Sequence, residues 1–176
     1  MCFNEKFFID PNYIFFTTQL SANNKQNIIN NLKNTKSINF EFEQNINQKI
    51  EKGNCIVKYP KKIFCEYSGE NNKILVSNGR SLVIKTKASY YRYPLEKTPL
   101  NLILDKNYLI NKIVNLEERI IDESYINYTI RENDIEINIF FDDRTFNLIG
   151  WQTKDIYQNL NITFLSSIKI NEIFDN

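Results

Sequence analysis

The run Ile74-Leu75-Val76-Ser77-Asn78-Gly79-Arg80-Ser81-Leu82-Val83-Ile84-Lys85 decides the fold class. An apolar stretch meets Asn-Gly, the strongest short hairpin signal, and a second apolar stretch returns from it. The spacing predicts a strand over 74–77, a turn centred on Asn78-Gly79, and a partner strand over 81–87. Upstream, Cys55, Val57 and Tyr59 alternate with other residues, Pro60-Lys61-Lys62 reads as a turn, and Ile63, Cys65 and Tyr67 alternate on the way back. Farther upstream lies the clearest period-two signal: Ile38, Phe40, Phe42, Ile46 and Ile50 against Asn39, Glu41, Glu43, Asn45 and Asn47, with Gln44 and Gln48 interrupting the apolar side. Alternation of this kind marks a strand with one buried and one wet face. Gly53 is expected to end that run in a turn.

Before these strands, residues 23–36 read as a helix, with Ile28, Ile29 and Leu32 on one face and Ser21 or Asn23 as its cap. After them, Tyr90, Tyr91 and Tyr93 lead to Pro94. Residues 98–104 then read as a short helix capped by Thr98, with Pro99 at its first position. A polar linker with helical character runs to about Glu118. Strand-like runs follow at 125–131, 135–141, 146–152 and 157–165, with turns at Glu132-Asn133-Asp134 and Asp142-Asp143-Arg144. Short strands joined by tight turns, with helices only at the start and middle, predict an α+β fold: a curved antiparallel meander.

Composition agrees and removes several function classes. The 176 residues suit one domain, and 13 Phe with 10 Tyr favour pleated, half-buried surfaces. The net charge of +1 gives no basic excess for phosphate backbones, so nucleic acid is not an expected partner. With no His, there is no Ser-His-Asp or Cys-His arrangement and no His-containing metal site. The 4 Gly stand singly at turn-like places, without a phosphate loop. Glu117-Glu118 and Asp142-Asp143 are neighbours pointing different ways, so neither pair is a carboxylate dyad. No enzyme, metal or cofactor is expected.

The first 22 residues have two readings. Lys6, the apolar Phe7-Phe8-Ile9 and Tyr13-Ile14-Phe15-Phe16, and the small Ser21-Ala22 follow the order of an export signal, interrupted by Asp10-Pro11-Asn12. The alternative is an N-terminal extension packed on a domain spanning 23–176.

Four segments, in order, resemble the LolA family of periplasmic lipoprotein carriers. Phe42-Glu43-Gln44 is similar to the family's aromatic-x-Gln motif. Gly53 to Pro60 matches its Gly, six residues, Pro spacing. Ile74-Leu75-Val76-Ser77-Asn78-Gly79 resembles its hairpin, with Asn78 where the family has Asp. Thr98-Pro99-Leu100 resembles the start of its mid-chain helix, and a terminal strand ending near Phe174 also fits. Tyr59 stands where the family carries the Arg associated with holding its helical lid shut.

The resemblance implies an unclosed antiparallel β-barrel with helices over the concave face. It implies a monomeric, non-enzymatic periplasmic chaperone that binds lipoprotein acyl chains and moves them from inner to outer membrane. Its partners would be acylated lipoproteins, an inner-membrane lipoprotein-releasing ABC transporter and an outer-membrane receptor lipoprotein. Alternatives are a receptor or envelope-stress sensor on the same scaffold, or a carrier of another hydrophobic ligand.

Phe40, Phe42, Ile63, Leu82, Ile84, Ile137, Ile139 and Phe141 hold alternate strand positions. Periodicity alone makes them a filled core; the resemblance makes them the lining of an acyl cavity. Leu100, Leu102, Ile103 and Leu104 form either a lid over that cavity or a plain packing helix. Cys55 and Cys65 flank Pro60 with matching parity, leaving a cross-strand disulfide and a pair of buried thiols as the two outcomes. Lys58, Lys61 and Lys62 cluster at that turn, as a solvated tip or a patch for an acidic partner.

Overall fold

The computed structural model describes the backbone of residues 13–122, 124–132, 135–154 and 159–172, with side chains from residue 23 onward in those ranges. Cys2, the signal-like residues 6–12, the turn residues Asn133 and Asp134, Tyr157 and Phe174 lie outside the described residues.

Helix α1 (Tyr13–Asn34) begins ten residues before the expected start, so neither Ser21 nor Asn23 caps it. Its face Ile28, Ile29 and Leu32 is buried as the spacing requires. Its last carbonyls are satisfied from outside the helix: Lys106 Nζ donates to Lys33 O at 3.1 Å and Asn171 Nδ2 to Asn34 O at 2.9 Å.

The run expected as one strand over 38–50 is a hairpin. Strand β1 (Ser37–Ile46) turns at Asn47-Gln48 into β2 (Lys49–Lys58). Both turn residues have positive φ, 50° and 69°, the backbone of a type I′ turn, and the Gln48 N–H donates to Asn45 Oδ1 at 3.0 Å. Two residues without Gly hid this turn. Gly53, expected to end the run, sits inside β2 between Phe42 and Tyr67 on the neighbouring strands. A Cβ there would lie 2.1 Å from the Glu66 carbonyl oxygen and 2.8 Å from the Phe42 ring, so the aromatic pair closes over a position only Gly can fill.

Strands β3 (Lys62–Tyr67), β4 (Ile74–Asn78) and β5 (Ser81–Lys85) follow as expected. The β4–β5 turn is centred one residue later than Asn78-Gly79: Asn78 pairs towards Ser81, Gly79 is the first central residue at φ 95°, and Asn78 Oδ1 accepts from the Arg80 and Ser81 N–H groups. The tyrosine run is a strand the sequence reading left unassigned, β6 (Tyr90–Pro94).

A 3₁₀ turn (Leu95–Lys97) leads to α2 (Leu100–Ile103). Thr98 keeps its place at the helix entrance, where its carbonyl accepts from the Asn101 N–H, but its hydroxyl donates back to Leu95 O and does not cap. The expected polar linker is mostly helix α3 (Lys106–Val114), capped by Asp105, whose carboxylate accepts from the Tyr108 N–H at 3.1 Å. Leu109 and Ile113, four apart, bury its inner face. Strands β7 (Arg119–Ile121), β8 (Tyr125–Glu132), β9 (Ile135–Asp142), β10 (Leu148–Lys154) and β11 (Leu160–Ile170) complete the chain.

The strands form one 11-stranded sheet ordered β6-β5-β4-β3-β2-β1-β11-β10-β9-β8-β7. Two meanders are thus joined by antiparallel pairing of the first and last strands, and β6 and β7 remain as edges. The architecture is the expected unclosed antiparallel barrel with helices on its concave face. Phe40, Phe42, Val57, Ile63, Leu82, Ile130, Ile139 and Phe141 from the strands share one core with Ile28, Leu32, Ile103, Leu109 and Ile113 from the helices.

Candidate functional site: a half-lidded apolar cavity

Two parts of the concave face are used differently. Over β8 and β9, α1 and α3 pack down and fill the space. Ile126, Tyr128, Ile137, Ile139 and Phe141 are fully buried, and the Tyr128 and Phe141 rings meet edge to face at 6.1 Å. Helix α3 is tied to the end of β8: the Tyr108 hydroxyl donates to Glu132, and Lys112 pairs with the same carboxylate at 2.9 Å. Those two donors hold the Glu132 carboxyl below its ordinary range. Helix α1 is tied to the β9–β10 turn, where Asn31 Nδ2 donates to Thr145 O at 2.9 Å and Asn147 Oδ1 at 2.7 Å.

Over β1–β5, β11 and the near side of β10 a cavity of about 240 Å³ remains, between the sheet and α2. Phe40, Phe42, Ile63, Leu75 and Leu82 line it from the sheet, Leu100 and Ile103 from the helix, and Trp151 closes the side towards the packed half. Phe40 meets Trp151 edge to face at 6.4 Å, so this pair is the partition between hollow and solid core. Cys55 and Cys65 are directly opposed on β2 and β3 with Cα atoms 4.1 Å apart, and their sulfurs are bonded; the disulfide is part of the lining.

One end of the cavity is polar. Half-buried Gln44, Ile46, Tyr67, Lys73, Ile84 and Asn161 form a rim beside the β1–β2, β3–β4 and β5–β6 connections. Gln44 donates to Asn161 Oδ1 at 3.0 Å and Thr163 Oγ1 at 3.1 Å, and accepts from the Tyr67 hydroxyl at 3.3 Å. Lys73 Nζ sits 4.0 Å from the Tyr67 ring centroid and pairs with Glu51. Burial pushes the Glu51 carboxyl up, but hydrogen bonds and charge from Lys73 and Lys49 outweigh it and hold the group below its ordinary range. Burial pushes the Tyr67 phenol up, so it stays a neutral donor.

At the other end, the Pro60 turn grips the cover. The Lys61 N–H donates to Leu104 O at 2.8 Å, and Lys61 Nζ pairs with Asp105 at 3.3 Å. The Tyr59-Pro60 peptide is cis. Tyr59 packs against the core, with Lys106 Nζ 6.0 Å from its ring centroid. Lys61 is therefore tied to the helical segment, while Lys62 is exposed.

Of the residues named from sequence, Phe40, Phe42, Ile63, Leu82, Ile84, Leu100 and Ile103 meet around one cavity. Ile137, Ile139 and Phe141 sit in the packed half, fully buried. Leu104 is buried behind the cover, and Leu102 is half-buried against the core. Sequence reading passed over Trp151, Thr153, Asn161, Thr163 and Lys73. It also treated Gln44 as an interruption, although its parity with Phe40 and Phe42 turns it to the same face.

The family of outer membrane lipoprotein carrier proteins LolA matches residues 21–176. No curated protein matches the chain. Among solved structures, the lipoprotein LppX from Mycobacterium tuberculosis aligns at 14% identity and TM-score 0.47, over 90% of this chain and 98% of its own. LprF from Mycobacterium bovis aligns at 13% and 0.44 over 89% and 97%. A putative outer membrane lipoprotein-sorting protein domain from Vibrio parahaemolyticus aligns at 6% and 0.45 over 89% and 93%. Among the described residues, no helix is long and apolar enough to cross a membrane.

Proposed function

The chain belongs to the LolA family, and on that premise we propose that it is a periplasmic carrier that shelters the acyl chains of lipoproteins between inner and outer membrane. The observation that carries this reading is the cavity itself. An apolar hollow persists in one half of a sheet whose other half is packed solid, and the wall residues are those whose alternation marks them as inward-facing.

The energetics suit transfer rather than storage. Each methylene withdrawn from water gains about 0.8 kcal/mol, so acyl chains cannot cross an aqueous gap unaided. A carrier needs only to match the membrane; a much tighter site would trap its cargo. At about 240 Å³ the cavity falls below the roughly 300–1,000 Å³ of ordinary ligand pockets. Several acyl chains therefore enter only if the cover yields. Helix α2 is that cover: it spans four residues and lays Leu100 and Ile103 into the hollow. The Lys61 contacts to Leu104 and Asp105 stand beside Tyr59, where the family has its Arg, and serve as the catch. The polar rim of Gln44, Tyr67 and Asn161 suits the ester and amide groups at the head of acylated chains.

In this reading residues 23–176 are the carrier domain, the cargo comes from an ABC-type releasing complex, and it passes to an outer-membrane receptor lipoprotein. No catalysis is involved. The test is mass spectrometry of lipid co-purified with protein secreted to the periplasm of a lipoprotein-producing host. Acylated lipoproteins retained in stoichiometric amounts, and lost with Leu82→Trp, support the proposal. Protein that emerges free of acyl groups, or holding an unrelated hydrophobic molecule, contradicts it.

A further inference from the structure

The open edge of the hollow meander is unlike the rest of the surface. Over residues 80–97, Arg80, Lys85, Lys87, Arg92 and Lys97 against Glu96 give this hairpin edge a net +4, in a chain whose total is +1. All five basic residues are exposed, and none pairs with a carboxylate among the described residues. Between them β6 exposes Tyr90 by 63%, Tyr91 by 51% and Tyr93 by 44%.

The register gives the tyrosines a direction. Tyr91 pairs with Ile84 and Tyr93 with Leu82, both cavity-lining residues, so the two rings continue the concave apolar face beyond the cover. They lie nearly parallel, centroids 6.5 Å apart at 17°.

Edge strands commonly carry charge and Pro to discourage pairing with other chains, which accounts for Arg92 and Pro94. It does not account for two stacked tyrosines on the cavity side, nor for the sign. At the opposite edge, Glu117, Glu118 and Asp122 against Arg119 give residues 117–122 a net −2. Guarding an edge works with either sign; attracting an anionic surface needs one. Basic clusters are drawn to anionic lipid headgroups, and Tyr is enriched at membrane interfaces because its ring is apolar and its tip is wet.

We propose that the β5–β6 edge is a docking surface for an anionic phospholipid bilayer, which seats the open flank of the cavity against the membrane. The bilayer meets the edge end-on: Lys85 and Arg92, on the convex side of the edge, and Lys87 beyond β5 meet headgroups, while Tyr91 and Tyr93 on the concave side settle at the interface as a ramp into the hollow.

The test is sedimentation of the full chain with vesicles of phosphatidylcholine alone, or with about 30% phosphatidylglycerol added. No acylated cargo is present, so the outcome is independent of the carrier proposal. Anionic vesicles should bind at least about tenfold more tightly, and the preference should shrink as salt rises. Each basic residue removed should cost about fivefold, so K85S with K87S should lose on the order of twenty-five-fold. The control pair K33S with K36S, exposed elsewhere, should lose nothing beyond the small effect of net charge. Y91S with Y93S should weaken binding while leaving its salt dependence unchanged. Equal binding to both vesicles, or equal loss in the control pair, overturns the proposal. So does sedimentation velocity showing that K85S with K87S abolishes self-association instead, which would assign the edge to a second copy.

Discussion

The half of the sheet over β1–β5 and β11 and the half over β8 and β9 are built from the same kind of strand, with β10 between them, yet one is hollow and the other solid. Both alternate apolar and polar residues, both present an apolar concave face, and both carry helix above it. The difference lies in what the helices bring. Over the solid half, α1 and α3 deliver Ile28, Ile29, Leu32, Leu109 and Ile113 and are fixed by Asn31, Tyr108 and Lys112. Over the hollow half a single-turn helix delivers Leu100 and Ile103, held by a backbone hydrogen bond and one ion pair from Lys61. A short cover on few contacts belongs to the low-stability end of a structure, where moving parts are found. The solid half thus acts as the scaffold that lets the other half stay empty.

The largest test of that contrast is mutational. Phe141→Ala in the solid half should cost about 3–5 kcal/mol, the transfer term plus a new cavity. Leu82→Ala in the wall of the existing cavity should cost about 2 kcal/mol or less, because it enlarges a hole already present. Urea unfolding of the two variants reads both values. Equal losses would mean that the two halves are packed alike.

That contrast was beyond the reach of sequence. Period-two alternation tells which face of a strand is buried, not what buries it. Phe40 and Ile139 therefore read alike, although one borders a cavity and the other is sealed. Strand identity was more legible: β3, β4, β5, β8 and β9 fall close to where their apolar alternation places them. Turns were legible at Pro60 and near Asn78-Gly79, but Gly53 pointed to a turn where the chain is mid-strand, and the turn at Asn47-Gln48 was lost because its positive φ has no glycine signature. Helix α3 was blurred into a linker because Lys106, Asn107, Asn111 and Lys112 mask the Leu109–Ile113 pair. β6 was missed because all five of its residues are exposed and it shows no alternation at all. Parity about Pro60 set Cys55 opposite Cys65, but spacing alone could not separate a disulfide from two thiols. Trp151 gave no signal, since its role depends on β10 lying two strands from β1, a consequence of the β1–β11 closure.

A smaller test concerns the rim of the hollow half. Lys73 and Lys49 hold the Glu51 carboxyl below its ordinary range despite its burial. A carboxyl depressed in the folded state binds its proton less readily there than in the unfolded chain. It therefore stabilises the fold above its unfolded pKa of about 4.3, and that contribution fades as pH falls through the lower folded value. Glu51→Gln should flatten this acid limb by less than about 1 kcal/mol, because the pair is open to solvent on one side. Thermal melts between neutral and acid pH check this; unchanged acid dependence in the variant would remove Glu51 as a source of rim stability.

The single Trp of the chain stands on the partition between the two halves, which makes it a reporter for the central claim. The decisive measurement is Trp151 fluorescence during titration with fatty acyl chains carrying a nitroxide quencher at successive positions. The hollow half should admit the chain and bring at least one labelled carbon against the ring, giving saturable, position-dependent quenching that Leu82→Trp, read against its own unlabelled baseline, or Ile63→Phe blocks by filling the space. Quenching that is absent, or that rises linearly and alike for every label position, would contradict the account.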